Sequence, residues 1–273
     1  MRLYTLMEET AVSPQFASEH GLSFYVDTGT DKLLFDFGQT EAFCGNAQKL
    51  GIDLSQVDRA FLSHGHYDHG GGLKAFLHQN NHAPIYVHPR AFEPHFSRKP
   101  EGIREIGLDI SLQQHPQLVK TADVYEVSPN LLLFADVTGK ACRSAGASNL
   151  LERVNGQYVP DTFAHEQSLL IDAQGKLLLF AGCAHRGMVN LVQCAAQHAG
   201  RMPDIVVGGM HLYSPSQKRS EPDELIQAVG MRLRATGARY LTGHCTGQHA
   251  YEVLRAIMGE QIAYVSAGSV TEL

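Results

Sequence analysis

Regularly spaced cysteines, runs of positive charge and long apolar stretches are all missing from this chain of 273 residues. The five cysteines, Cys44, Cys142, Cys183, Cys194 and Cys245, are odd in number, and no two form a CxxC pair. A disulfide framework is therefore not expected, and a reducing compartment fits better. With no long basic run and a formal net charge of −6, the chain is not expected to bind nucleic acid. No apolar stretch approaches the roughly 20 residues needed to span a bilayer. The first ten residues contain one Arg and two Glu and lack a long apolar core, so they do not read as a secretory signal. The expectation is a cytoplasmic protein with neither membrane nor nucleic acid as partner. Repeats, low-complexity segments and linkers are absent too, and residues 1–273 are expected to form a single domain.

What is present suits a globular protein with a substantial core: 44% hydrophobic and 18% charged residues. The 26 glycines point to tight turns and close backbone approaches. Histidine, at 15 residues, is the commonest metal ligand and the usual acid–base group near neutral pH, so the positions of these residues decide what they mean.

Short apolar, partly β-branched or aromatic runs at 22–26 and 32–35 are separated by Asp27-Thr28-Gly29-Thr30, the pattern of a β-hairpin. A helix is predicted over 43–50, a strand over 58–63, a helix over 73–79 and a strand over 84–88. In the second half strands are predicted over 118–127, 130–134, 168–172, 176–181, 205–208, 239–242 and 261–265, with helices over 189–199, 221–236 and 248–257. Strand pairs mixed with helices in both halves favour two packed sheets with helices outside. Between 89 and 110 the pattern weakens, which reads as an inserted loop or lid. Arg98, Lys99 and Arg104 in it are open to two readings, contacts for an anionic substrate or a solvated charge run.

The strongest signal is Ser63-His64-Gly65-His66-Tyr67-Asp68-His69-Gly70-Gly71-Gly72, at the end of a predicted strand. Positions i and i+2 of an extended stretch point the same way, so His64 and His66 can converge on one ion. The following turn can carry Asp68 and His69 toward a second. Imidazole and carboxylate suit zinc, iron or manganese. Tyr67, inside this loop, either supports the ligands or packs against a neighbouring sheet.

The motif His64-x-His66-x-Asp68-His69 resembles the signature of the metallo-β-lactamase fold superfamily of hydrolases, and the resemblance covers essentially the whole chain. Leu33-Leu34-Phe35-Asp36-Phe37-Gly38 is similar to the family's early strand, whose Asp braces the metal loop. Gly21-Leu22-Ser23, Gly182-Cys183-Ala184-His185-Arg186-Gly187, Gly208-Gly209-Met210-His211-Leu212 and Gly243-His244-Cys245-Thr246-Gly247 resemble one branch, related to a dihydropterin ribofuranosyl-aminobenzene phosphate synthase. The resemblance implies an α+β fold, a four-layer αββα sandwich with metals at one edge between the sheets and ligands on strand-end loops. His185 and His244 stand at such positions. Cys183 occupies the place of a bridging Asp in most members, as a thiolate ligand or as an inert buried thiol. The usual third histidine lies nearer His165; His185 is preferred in that role and His165 is the alternative. His211 reads as a substrate-contacting or acid–base residue, or as a structural one.

These readings together imply a metal-dependent hydrolase with two divalent metal ions, zinc first and manganese or iron as alternatives. His64, His66 and His185 would hold one ion, and Asp68, His69 and His244 the other. Two ions about 3.5–4 Å apart would activate a hydroxide for attack on a small phosphorylated or ester metabolite. Asp68 would orient that nucleophile or take its proton. The alternatives are a pterin-phosphate-related synthase, a nuclease or a di-iron redox protein.

Overall fold

The structure, a computed structural model, describes residues 1–273. Its contacts gather into two compact units. Met1–Glu93, Gly107–Ala122 and Val265–Leu273 build the first; Pro94–Ile106 and Asp123–Tyr264 build the second. The segments interleave along the chain, which explains why the sequence offers no linker.

The first unit is organised on a seven-stranded sheet in the order Val270–Glu272, Arg2–Met7, Ser23–Asp27, Lys32–Phe35, Arg59–Phe61, Ile85–Val87, Leu118–Lys120. The first four strands pair antiparallel and the remaining pairings are parallel. Alternate residues Leu34, Ala60, Leu62, Ile85 and Val87 share one buried cluster with Phe43 and Ala47 of the helix Ala42–Lys49 and with Leu73 and Phe76 of the helix Leu73–Gln79. Strand spacing of two thus meets helix spacing of three and four on one face. The Phe37 ring sits 5.4 Å from Phe76 and 6.4 Å from Phe43, centroid to centroid. Truncating a phenylalanine in such a cluster costs about 3–5 kcal/mol.

In the second unit another seven-stranded sheet runs Ile262–Tyr264, Arg239–Thr242, Ile205–Val207, Lys176–Phe180, Ser168–Ala173, Leu131–Phe134, Val124–Ser128. The strands from Lys176–Phe180 to Ile262–Tyr264 are parallel and the rest antiparallel. Three helices, Met188–Ala199, Asp223–Arg234 and Gln248–Met258, pack on one core with the sheet; Ala250, Leu254 and Met258 recur every four residues along the last. Because Lys176–Phe180, Ile205–Val207 and Arg239–Thr242 are parallel neighbours, their three following loops leave the same edge.

Most predicted elements lie within a residue or two of their expected bounds. The strand expected over 118–127 is two strands, Leu118–Lys120 and Val124–Ser128, in different sheets. An apolar run cannot reveal that the chain changes sheets inside it, though ten residues is long for one strand. The stretch read as an inserted loop contains the hairpin His95–Lys99 and Gly102–Glu105, which joins Leu150–Val154 and Gln157–Pro160 in a four-stranded sheet of the second unit. Charged residues on its exposed face hide the strand pattern. Arg2–Met7 and the edge strand Val270–Glu272, which pairs with it, add to the predicted set.

Candidate metal centre

In the first unit the strand Arg59–Phe61 leads into the histidine motif, and the short helix Tyr67–Gly70 carries its second half. His64, His66, Asp68 and His69 are all buried, while Tyr67 is half-buried. Asp36, just past the strand Lys32–Phe35, braces the loop as the resemblance implies. One of its carboxylate oxygens accepts the Ser63 backbone N–H at 2.7 Å. The other accepts the Ser63 hydroxyl at 2.7 Å and lies 2.6 Å from His69 Nδ1. The Ser63 hydroxyl has spent its proton on Asp36, so at 2.8 Å it accepts from His64 Nδ1. Both imidazoles therefore carry their proton on Nδ1 and their lone pair on Nε2, the tautomer a metal needs.

Asp36 can do this because its backbone is left-handed, with φ 60°, a region Asp and Asn enter more readily than other residues. The glycines matter for a different reason. A Cβ on Gly71 would sit 2.1 Å from the Gln39 carbonyl oxygen, and one on Gly72 2.1 Å from that of Phe37. Their absence lets the loop press against the segment after Lys32–Phe35, where Phe37 N–H donates to the His69 carbonyl at 2.7 Å. His20, which the sequence did not single out, lies 3.3 Å from the Asp68 carboxylate and also pairs with Glu9. Burial alone would lower its pKa; the hydrogen bonds to Asp68 and Glu9 outweigh that and push it up to about 10.

The second unit gathers its donors on the three loops at one sheet edge. Gly209 N–H donates to the Gly182 carbonyl at 2.8 Å, Met210 N–H to the Thr246 hydroxyl at 3.0 Å, and the Thr242 hydroxyl to the Gly208 carbonyl at 2.9 Å. These bonds stitch the loops together. His185, His211 and His244 all follow strand ends, as expected, and are buried. The Cys183 sulfur lies within 4.8 Å of a ligand atom of each of His185, His211, His244 and Cys245.

His185 has an anchor of the same kind as His69. Glu166 accepts its backbone N–H and its ring Nδ1–H at 2.8 Å each, and the Arg186 N–H at 3.1 Å. Burial by itself would raise the Glu166 carboxyl; the neighbouring His185 ring and these hydrogen bonds hold it at about 2. The Phe163 ring stacks on His185 at 4.5 Å. His165, the alternative third ligand, has its Nε2 3.3 Å from Asp161, whose carboxylate also lies 3.1 Å from His95 Nδ1. Burial lowers the His165 pKa to about 4. Glu166 carries a faint sequence signal, standing beside His165 just before a strand. His95 and Asp161 carry none, since their meeting depends on a hairpin the pattern hides.

Imidazole nitrogen, carboxylate oxygen and sulfur are the donors that hold divalent transition ions. In both units a buried carboxylate fixes the tautomer of a loop histidine that follows a strand, His69 in the short helix of the first and His185 in the second. The residues present fit metal.

Over its whole length this chain is similar to a 7,8-dihydropterin-6-methyl-4-(β-D-ribofuranosyl)-aminobenzene-5'-phosphate synthase of Methanocaldococcus jannaschii, with 27% identity over 99% of this chain and 96% of the relative. Tm1679, solved as a metal-dependent hydrolase of the beta-lactamase superfamily, superposes with a TM-score of 0.82 at 28% identity, covering 100% of this chain and 99% of its own. Zinc-bound PqqB from Methylobacterium extorquens shares the fold at a TM-score of 0.54 and 13% identity, with 100% of both chains covered. The sequence model of the metallo-beta-lactamase superfamily matches residues 19–187, more than half of the chain. The chain has the metallo-β-lactamase fold and belongs to the metallo-beta-lactamase superfamily.

Proposed function

We propose that His64, His66 and His185 hold one divalent ion and that Asp68, His69 and His244 hold a second, in an enzyme that hydrolyses a small anionic phosphorylated or ester metabolite. The observation that carries this reading is the pair of carboxylate-locked imidazoles, His69 on Asp36 and His185 on Glu166. Such locks set ring orientation and raise basicity at the opposite nitrogen. Zinc suits the histidine-rich set best, with manganese or iron as alternatives. Ions held there supply Lewis acidity and acidify water.

The chain's own groups do the rest. Asp68 takes up the proton of the attacking water at its carboxylate, and His20, 3.3 Å away, steadies that carboxylate by hydrogen bonding. Arg98 and Arg104 are exposed on the hairpin His95–Lys99 and Gly102–Glu105, where they offer positive charge to an anionic substrate. Full-length similarity to a metal-dependent hydrolase supports the reaction class.

A second reading is favoured by the relative from Methanocaldococcus jannaschii, whose name describes a synthase. In that case the same ligands would serve condensation of a phosphorylated pterin precursor. Assaying zinc- and manganese-loaded protein against phosphodiesters, phosphomonoesters and thioesters separates the two. Turnover of any of them supports hydrolysis. No turnover, together with condensation of a pterin phosphate, transfers the assignment to the second reading.

A further inference from the structure

The loops at the sheet edge of the second unit carry soft donors that the two-ion proposal leaves unused. The sulfurs of Cys183 and Cys245 and a ring nitrogen of His211 lie within 4.8 Å of one another. These residues are 3%, 2% and 8% exposed, respectively. His211 Nδ1 is buried with no hydrogen-bond partner, so the ring is held without a protein group to satisfy it on that side.

The surroundings are shaped for sulfur. A Cβ on Gly209 would lie 2.5 Å from Cys245 Sγ, so only glycine lets the thiol in. The His211 backbone N–H donates to the same sulfur at 3.3 Å, and the Cys245 thiol reaches the Cys183 carbonyl oxygen at 3.5 Å, so backbone groups fix where this sulfur lies. His211 itself is held at φ 47° and His244 at φ 52°, in the left-handed region that histidine enters more readily than most residues. Both cysteines are unbridged.

We propose that Cys183, Cys245 and His211 form a further metal site, a Cys2His set that takes a thiophilic divalent ion such as zinc and leaves its fourth tetrahedral position open. Binding releases the two thiol protons to solvent, since only thiolates ligate. His211 is then a ligand rather than the acid–base group its strand-end position suggests. Cys245 and His211 belong to neither the His64/His66/His185 nor the Asp68/His69/His244 set, whereas Cys183 lies within 4.8 Å of ligand atoms of His185 and His244, so variants of Cys245 and His211 separate this inference from the proposed hydrolysis.

The test loads the full chain anaerobically with cobalt(II) or zinc. Cobalt should give a thiolate-to-metal charge-transfer band, and zinc X-ray absorption should show two sulfurs at about 2.3 Å. Cys245→Ser should halve the sulfur shell and remove one metal equivalent, with circular dichroism reporting the fold. If that variant does not fold, His211→Ala should likewise lose one equivalent. His64→Ala and Asp68→Ala should leave the band in place, so failure of the two-ion reading is distinguishable. A band undiminished in Cys245→Ser overturns the proposal, as does zinc-loaded protein without sulfur scattering or with a Cys183–Cys245 disulfide.

Discussion

Glu166 and His185 are joined twice, one carboxylate oxygen accepting both the backbone N–H and the ring Nδ1–H of the histidine at 2.8 Å. The first bond fixes where the loop lies, the second how the ring is turned. Removing the carboxylate should therefore affect metal affinity more than folding of the sheet. Glu166→Ala is expected to weaken zinc binding by about 10–100-fold, the usual effect of losing such a support. Glu166→Gln keeps the shape and one acceptor oxygen, so its loss should be smaller. Chelator competition on the two variants checks the order; equal affinity in wild type and Glu166→Ala would refute it.

Asp36 allows charge and backbone conformation to be separated. Its left-handed φ of 60° is tolerated by Asn, while Ala meets a penalty of about 1–2 kcal/mol there. Alanine also leaves the buried Ser63 N–H and hydroxyl without their acceptor, at about 1–3 kcal/mol per group. Asp36→Ala is thus expected to lower unfolding stability by about 3 kcal/mol or more. Asp36→Asn should retain most of the stability yet lose metal affinity, since the amide no longer raises His69 basicity. Urea unfolding beside chelator competition reads both quantities.

Much of this architecture is legible in the chain. Hairpins show themselves where turn residues separate short apolar and aromatic runs, as at Asp27-Thr28-Gly29-Thr30, and the histidine motif follows a strand as its spacing requires. What the sequence conceals depends on long-range assembly. Residues 118–127 read as one strand because apolarity does not record that the chain leaves one sheet at Lys120 and enters another at Val124. His95 and Asp161, 66 positions apart, meet at 3.1 Å only because the His95–Lys99 strand pairs with Leu150–Val154. Carboxylate partners such as Glu166 escape notice for a related reason: nothing local marks which acidic residue will be buried.

The glycines give a paired test of close packing. Gly45 is exposed in the helix Ala42–Lys49, with open space where a Cβ would go. Gly45→Ala should therefore stabilise by about 0.5–1 kcal/mol through helix propensity. Gly72→Ala should do the opposite, because its Cβ meets the Phe37 carbonyl at 2.1 Å and the Thr40 carbonyl at 2.6 Å. A loss of about 3 kcal/mol is expected, the upper end for overpacking against a backbone that cannot yield. Denaturant midpoints of the two variants should move to opposite sides of wild type.

Metal removal tests the proposed ligand set through stability as well as turnover. An ion that binds only the folded chain stabilises it by about 2.7 kcal/mol at a free concentration one hundred times its dissociation constant. Zinc should therefore raise the melting temperature of chelator-stripped protein, and further addition should raise it again. In His64→Ala or Asp68→Ala one of the two proposed sites loses a ligand, so the zinc-dependent part of the shift should shrink sharply, on top of the lower melting of the stripped variant that losing a buried, hydrogen-bonded side chain brings. That pattern separates ligation from packing: a residue holding only the fold would lower both curves together. A zinc shift in His64→Ala as large as in wild type would remove His64 from the ligand set, whatever the activity measurements show.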